Sequence, residues 1–236
     1  MTTWQRLFTL IYKGRILTNK HIYFVSRWKY CIFATMNNKF HNEDLSENVI
    51  LADGDYVDKV AFDLTVNFER MIGRRIPKAD TARWIDCVAL DGGLREGDNK
   101  TQVIIIHDKS RGAMENFVPG VYADELDGKA FSDNLGEFLI SSLPIENDVT
   151  TAEDMFIEAL EVICNNKNVK RIMVIPDAEK IYGKVRETLR LYLDDENKRA
   201  TVFAMQPMQG GNFRQEILGY SLMQALGIKS SELNAE

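Results

Sequence analysis

Short apolar runs alternate with segments of helical period along the last third of the chain, and this order constrains the fold more than any other feature. Residues 171–175 and 201–205 predict buried strands. Apolar stripes over 156–163, 181–189 and 217–226 predict the helices that separate and follow them. Parallel strands need crossover connections, and helices usually provide them. The order therefore predicts an α/β fold, with a mostly parallel central sheet and helices on both faces in a three-layer architecture.

Residues 49–153 show the same pattern with less regularity. The predicted elements are a strand at 49–52, a helix from Val57 to Met71, a strand at 82–90, a buried central strand at 102–106, a long loop or insertion at 109–134, a short strand at 138–140 and a capping box formed by Thr150 and Glu153.

Charge divides the chain sharply near Met36. Residues 1–35 contain six basic side chains and no acidic one. The chain has 29 basic and 35 acidic residues, so the remainder holds 23 basic and 35 acidic residues and a net charge of −12. A step of this size marks a boundary. We therefore expect a basic leader at 1–35, either disordered or not part of the mature protein, and a single acidic domain at 36–236.

Three explanations of the leader stay open. Lys13, Arg15 and Lys20 interrupt the uniform apolar stretch that a signal peptide requires. A basic amphipathic arm would bind nucleic acid or an anionic surface. The sequence favours a third explanation, in which Met36 is the true start, because the leader shares neither the composition nor the periodicity of the rest.

Several classes of protein are disfavoured. No run approaches the roughly 18 apolar residues of a membrane span, so we expect no membrane association. Three cysteines without a CxxC pair argue against a disulfide scaffold and a zinc site, and indicate a reducing cytoplasm. Walker A, GxGxxG and GxSxG motifs are missing.

Acidic side chains follow several predicted strands, at the edge where α/β sheets bind ligands. Asp53, Asp108, Asp177 and Glu179 form a candidate metal site, since Mg²⁺ and Mn²⁺ prefer carboxylate oxygens and can activate water for phosphodiester hydrolysis. The competing explanation is ordinary helix capping or turn formation by Asp53 and Asp177.

Two resemblances add to this interpretation. Residues 52–80, 84–93 and 174–189 resemble an uncharacterised bacterial family of the Bacteroidetes type, which implies no activity. Residues 169–204, in which a strand, Pro176-Asp177-Ala178-Glu179 and a helix precede a second strand, resemble the last third of NYN/PIN-like nuclease domains. That resemblance implies a NYN/PIN-like or related Rossmann-like architecture and Mg²⁺- or Mn²⁺-dependent ribonuclease activity.

Two functions remain open, beside some other small-molecule activity. The sequence favours a non-catalytic α/β protein that acts through a protein partner or a second copy of itself. The alternative is a metal-dependent nuclease-like domain, possibly degenerate, that binds nucleic acid. Whether the chain is an enzyme is left undecided by its motifs.

Overall fold

The computed structural model describes residues 45–146, 151–193 and 195–233, and these form strands and helices in mixed order. The strands are β1 Asn48–Asp53, β2 Ala79–Asp80, β3 Asn99–Asp108, β4 Phe117–Val118, β5 Ala130–Asp133, β6 Gly136–Ile145, β7 Arg171–Ile175, β8 Arg199–Ala204 and β9 Arg214–Ile217. The α-helices are α1 Gly54–Ile72, α2 Thr81–Asp91, α3 Ala152–Asn165, α4 Ala178–Tyr192, α5 Leu218–Ala225 and α6 Ser230–Leu233, and one π-helical turn spans Tyr122–Leu126.

The described strands build a seven-stranded, mostly parallel sheet in the order β5-β6-β3-β1-β7-β8-β9. Only β5 runs antiparallel to its neighbour, β6. β1 lies at the centre and pairs in parallel with β3 on one side and β7 on the other. β2 and β4 form a separate two-stranded sheet. The predicted α/β class and mostly parallel sheet are confirmed.

Helices cover both faces of the sheet, because its central strands are apolar on both sides. Ile50 and Ala52 of β1 belong to the core that packs against α1, α2 and α5. Val49 and Leu51 point to the opposite face and are fully buried there, where α3 packs against β1 and α4 packs against α3. The strand predicted at 49–52 is thus buried on both sides, as its uninterrupted apolar sequence indicates.

The strand predicted at 82–90 is wrong, because this segment forms α2. Trp84, Ile85 and Val88 are fully buried on one side of a helix, a spacing of one and three residues that a strand cannot place on a single face. The Asp80 side chain accepts a hydrogen bond from the Arg83 amide at 3.0 Å and caps the helix.

Other local predictions need correction as well. The segment 109–134 is not irregular throughout, since it contains β4, the π-helical turn and β5. Thr151 rather than Thr150 caps α3, accepting from the Asp154 amide at 3.1 Å, and Thr150 lies outside the described residues. The leader at 1–35 lies outside them too. No helix of the described part of the chain is both long and apolar enough to cross a membrane.

Candidate functional site

The order of the strands creates a topological switch point beside β1. The chain proceeds from β1 to β3 and β6 on one side, then returns to β7 on the other side of β1 and continues outward through β8 and β9. The helices that follow strands on either side of a switch point leave a crevice at the carboxyl ends of those strands, where ligands bind in open α/β sheets. Asp53 ends β1, and Asp177 stands two residues after β7.

Asp53 is a partly buried carboxyl group that also caps α1. Its Oδ1 accepts a hydrogen bond from the Tyr56 amide at 3.0 Å. Burial raises its pKa to about 6, although that hydrogen bond opposes the shift. The carboxylates of Asp55 and Asp177 contribute to this rise in the pKa, and the Lys180 ammonium opposes it. Asp53 therefore carries a proton in part of the population near neutral pH.

Asp177 occupies the N-cap position of α4, which begins at Ala178, but its side chain does not cap the helix. Its side chain makes no capping hydrogen bond to the helix, unlike that of Asp53. The residue is 8% exposed, and its Oδ2 forms an ion pair with Lys180 Nζ at 2.9 Å. Its Oδ1 is buried and has no hydrogen-bond partner among the described residues. The capping explanation accordingly holds for Asp53 but does not account for the Asp177 side chain.

The Tyr56 phenol lies near the carboxylates of Asp53, Asp177 and the exposed Glu179. Burial, together with the carboxylates of Glu179, Asp177 and Asp53, raises the pKa of the Tyr56 phenol to about 12. The phenol therefore keeps its proton at neutral pH and lies within the field of all three acids. We call Asp53, Tyr56, Asp177, Glu179 and Lys180 the switch-point cluster.

Asp108 lies at the end of β3 and serves a local turn. Its Oδ1 accepts hydrogen bonds from the amide and the hydroxyl of Ser110, both at 2.8 Å. Its own amide donates to Asp55 Oδ2 at 2.7 Å, and Arg111 Nε lies 3.5 Å from Asp55 Oδ1. Burial raises the pKa of Asp55, while the Asp108 amide and Arg111 lower it. The structure thus places Asp108 with Asp55 and Arg111.

Tyr122 brings a second phenol to the same edge of the sheet, from the π-helical turn. Its ring stacks on that of His107, with centroids 3.6 Å apart and planes 8° apart. Its hydroxyl is buried without a hydrogen-bond partner in the described part of the chain. Burial raises the pKa of this phenol, and the nearby Asp55, Asp58 and Asp53 carboxylates raise it further. The sequence places Tyr122 in the predicted loop at 109–134 but gives no signal for this residue.

The four residues predicted as metal ligands do not all lie together. Asp53 and Asp177 interact electrostatically, and Glu179 acts with them on the pKa of Tyr56, whereas Asp108 belongs to the neighbouring turn. Within residues 45–146, 151–193 and 195–233, no three His, Cys, Asp or Glu side chains form a group that would hold one metal ion.

Comparison with known proteins identifies a family whose function is unknown. Residues 42–233 match a family described as "Family of unknown function (DUF6621)". The searches of curated proteins and of solved structures gave no match. The match agrees with the expectation of an uncharacterised family.

Proposed function

The chain belongs to the family of unknown function DUF6621, and from its geometry we propose that it binds Mg²⁺ or Mn²⁺ through Asp53 and Asp177, and with the cation a phosphate-bearing ligand. The observation that carries this proposal is the unpaired Oδ1 of Asp177. Leaving a buried acceptor without a partner costs about 1–3 kcal/mol, and more for a charged group. A ligand that satisfies this oxygen removes the cost.

The chemistry of the cluster fits a hard divalent cation. Mg²⁺ takes oxygen ligands, keeps several waters, and is commonly held by one or two carboxylates together with substrate phosphates. Lys180 contacts only Oδ2 of Asp177, so the other oxygen is available on the same carboxylate. Two carboxylates and a phosphate are therefore sufficient, without a third acidic side chain.

The electrostatics of the cluster favour the same ligand. Burial is the main cause of the raised pKa of Asp53, and the carboxylates of Asp55 and Asp177 add to it. A cation between Asp53 and Asp177 would supply positive charge and lower the pKa of Asp53. Binding is then expected to release protons near pH 6.

The specific reaction that we propose is phosphodiester hydrolysis, the activity implied by the NYN/PIN-like resemblance of residues 169–204. A bound Mg²⁺ or Mn²⁺ supplies Lewis acidity and lowers the pKa of a bound water. Asp53 and Asp177 would hold the cation, and the protonated Tyr56 phenol would donate a hydrogen bond to a phosphate oxygen. Lys180 would offset part of the charge of the phosphate.

Isothermal titration with Mn²⁺ tests the binding step. We expect Asp177→Asn to weaken Mn²⁺ binding at least tenfold, because even the loss of groups that only orient a ligand costs roughly 10- to 100-fold. Asp53→Asn should do the same, whereas Asp63→Asn, on an exposed part of α1, should bind as the unaltered protein does. Equal affinity in all three variants would place the cation elsewhere.

A cleavage assay tests the reaction separately. Single-stranded RNA incubated with the protein and Mn²⁺ should be cut, and the rate should fall below detection with EDTA and in Asp177→Asn. Lys180→Met should retain Mn²⁺ binding yet cleave more slowly, since it removes a charge that faces the phosphate. If the RNA stays intact while Mn²⁺ binds normally, the proposed hydrolysis is wrong and the proposed cation site still stands.

Association with a partner or a second copy is a second candidate, favoured by exposed apolar side chains on one layer of helices. Phe62 and Met71 on α1 are 52% and 66% exposed, and Tyr220 on α5 is 67% exposed. α1 and α5 pack against each other on the same face of the sheet. Sedimentation of the protein and of Met71→Ser with Tyr220→Ser should show a dimer lost in the double variant. A monomer at about 100 μM would reject self-association, since this is already a weak-binding regime.

A further inference from the structure

Four arginines gather at the edge of the sheet opposite the switch-point cluster. Arg171, Arg199 and Arg214 are the first residues of β7, β8 and β9, and Arg95 lies in the loop after α2. Arg171 is directly opposite Arg199 in the register of the two strands. In a chain of net charge −6, this is a local concentration of positive charge. We call these four residues the arginine cluster.

Gly93 provides room for two of the guanidinium groups. Arg171 is half-buried, and its Nη1 donates a hydrogen bond to the Gly92 carbonyl at 2.8 Å. Gly93 adopts a φ of 89°, a backbone conformation that favours glycine. A Cβ at Gly93 would lie 2.8 Å from Arg171 Nη1 and 3.5 Å from Arg214 Nη1. The two guanidinium groups therefore flank one point on the backbone of this loop.

Acidic side chains neutralise the cluster only in part, through Arg214. Arg214 pairs with Glu216 at 3.0 Å. Arg95 and Arg199 donate hydrogen bonds to backbone carbonyl groups and, like Arg171, form no ion pair within the described residues. Burial lowers the pKa of Arg171, and the charges of Arg95, Arg214 and Arg199 lower it further. Arg171 is therefore repelled by the three neighbouring positive charges.

Helix capping explains only a small part of this arrangement. Arg171 contacts the Gly92 carbonyl at the end of α2, and a cation is favourable at a helix C-terminus. That contact occupies one N–H of Arg171 and gives no role to Arg199 or Arg214. Three strand-initial arginines on adjacent strands therefore need a further explanation.

We propose that the arginine cluster binds a phosphate anion, with Arg171 as its central residue. Planar guanidinium groups donate paired N–H bonds that match the oxygens of phosphate, and charge-assisted hydrogen bonds of this kind are among the stronger ones in proteins. The phosphate can belong to inorganic phosphate or to a polyphosphate. This site is independent of the cation proposed at Asp53 and Asp177, because it lies at the amino ends of the strands.

Titration with inorganic phosphate and with pyrophosphate, in EDTA and at an ionic strength matched with NaCl, tests the proposal. Both anions should bind, and pyrophosphate should bind more tightly if the site accepts a polyphosphate. Arg171→Lys should weaken binding about tenfold, because it keeps the charge but loses the paired donors. Arg199→Gln, on an exposed side chain, should weaken it by a similar factor without affecting folding.

Two controls separate this site from other causes. Arg70→Gln removes an exposed charge at the end of α1 and should leave phosphate affinity unchanged. Asp177→Asn should also leave it unchanged, so failure of the cation site does not affect the result. Phosphate that binds no better than chloride, or that binds Arg171→Lys and Arg199→Gln with full affinity, would overturn the proposal.

Discussion

At the scale of single residues, Gly54 occupies a position where the fold leaves no space for a side chain. A Cβ there would lie 2.6 Å from the Tyr122 hydroxyl and 2.7 Å from Ile105 Cγ2. Both contacts are shorter than real side chains make, and both neighbours are buried. The glycine between Asp53 and Asp55 thus permits the π-helical turn to close over the start of α1.

We expect Gly54→Ala to lower the free energy of unfolding by about 2 kcal/mol, because overpacking in a filled core costs roughly 1–3 kcal/mol. Gly183→Ala is the matched control, since Gly183 lies within α4 and a Cβ there meets nothing within 4 Å. It should stabilise the protein by about 0.5–1 kcal/mol through helix propensity. Urea unfolding measures both values, and a loss of similar size in both variants would contradict the steric explanation.

Asp86 is a second residue with a measurable individual effect. Burial raises its pKa to about 7, and the neighbouring Asp133 and Asp80 carboxylates contribute. Because the pKa in the folded state exceeds the ordinary value of 3.8, the contribution of Asp86 to stability is present below pH 3.8 and is lost as the pH rises through 7.

Asp86→Asn should therefore stabilise the protein at pH 8.5 by about 1 kcal/mol, a modest value since water screens this half-exposed pair. The gain should disappear near pH 4, where Asp86 is protonated in the folded state. Urea unfolding at the two pH values gives the difference, with Asp63→Asn as the exposed control. A gain that is equal at both pH values would exclude repulsion by Asp133 as its cause.

At the scale of elements, the start of α2 is marked by one polar residue, the N-cap Asp80. Asp80 ends β2 and caps α2 through the Arg83 amide. Asp80→Ala should cost about 1 kcal/mol, the typical value of an N-cap. Asp80→Asn keeps the accepting oxygen and should restore most of the stability, which thermal unfolding can measure. Equal losses in the two variants would mean that the charge of Asp80, not its cap, is responsible.

Sequence patterns predicted the elements that carry their own signal. β1, β3 and β7 contain continuous apolar runs, and α1 and α3 have long apolar stripes. The burial of these elements can therefore be predicted from local sequence alone. β2, β4, β5 and β9 contain two to four residues, several of them polar, and form because a partner strand lies beside them. The prediction for α2 was wrong because the nine residues 82–90 fit both the two-residue period of a strand and the 3.6-residue period of a helix.

The candidate site divides in the same way. Asp53 and Asp177 were predicted from their position after strands, which the sequence specifies. Tyr56, Lys180 and Tyr122 were not, because their approach to these acids depends on how α1, α4 and the π-helical turn are rotated against the sheet. Such rotations result from packing, which no local pattern contains.

At the scale of the whole molecule, cation binding should raise the free energy of unfolding. A ligand that binds only the folded chain adds about 2.7 kcal/mol at 100 times its Kd. Because burial holds the pKa of Asp53 at about 6, protons compete with the cation, and the stabilisation by Mn²⁺ should be larger at pH 8 than at pH 5. Thermal unfolding with and without Mn²⁺ measures this, and Asp177→Asn should abolish the difference. A stabilisation that does not change with pH would exclude Asp53 as a ligand.

The switch point between β1 and β7 has one more consequence. β1, β3 and β6 come from the first part of the described chain, and β7, β8 and β9 come from the last part, so the β1–β7 pairing is the seam between two contiguous segments. Asp53 and Asp177 stand on opposite sides of that seam. A cation shared by them would add its binding free energy to the association of the two segments. Two separately expressed fragments, divided between β6 and α3, should then assemble more tightly when Mn²⁺ is present.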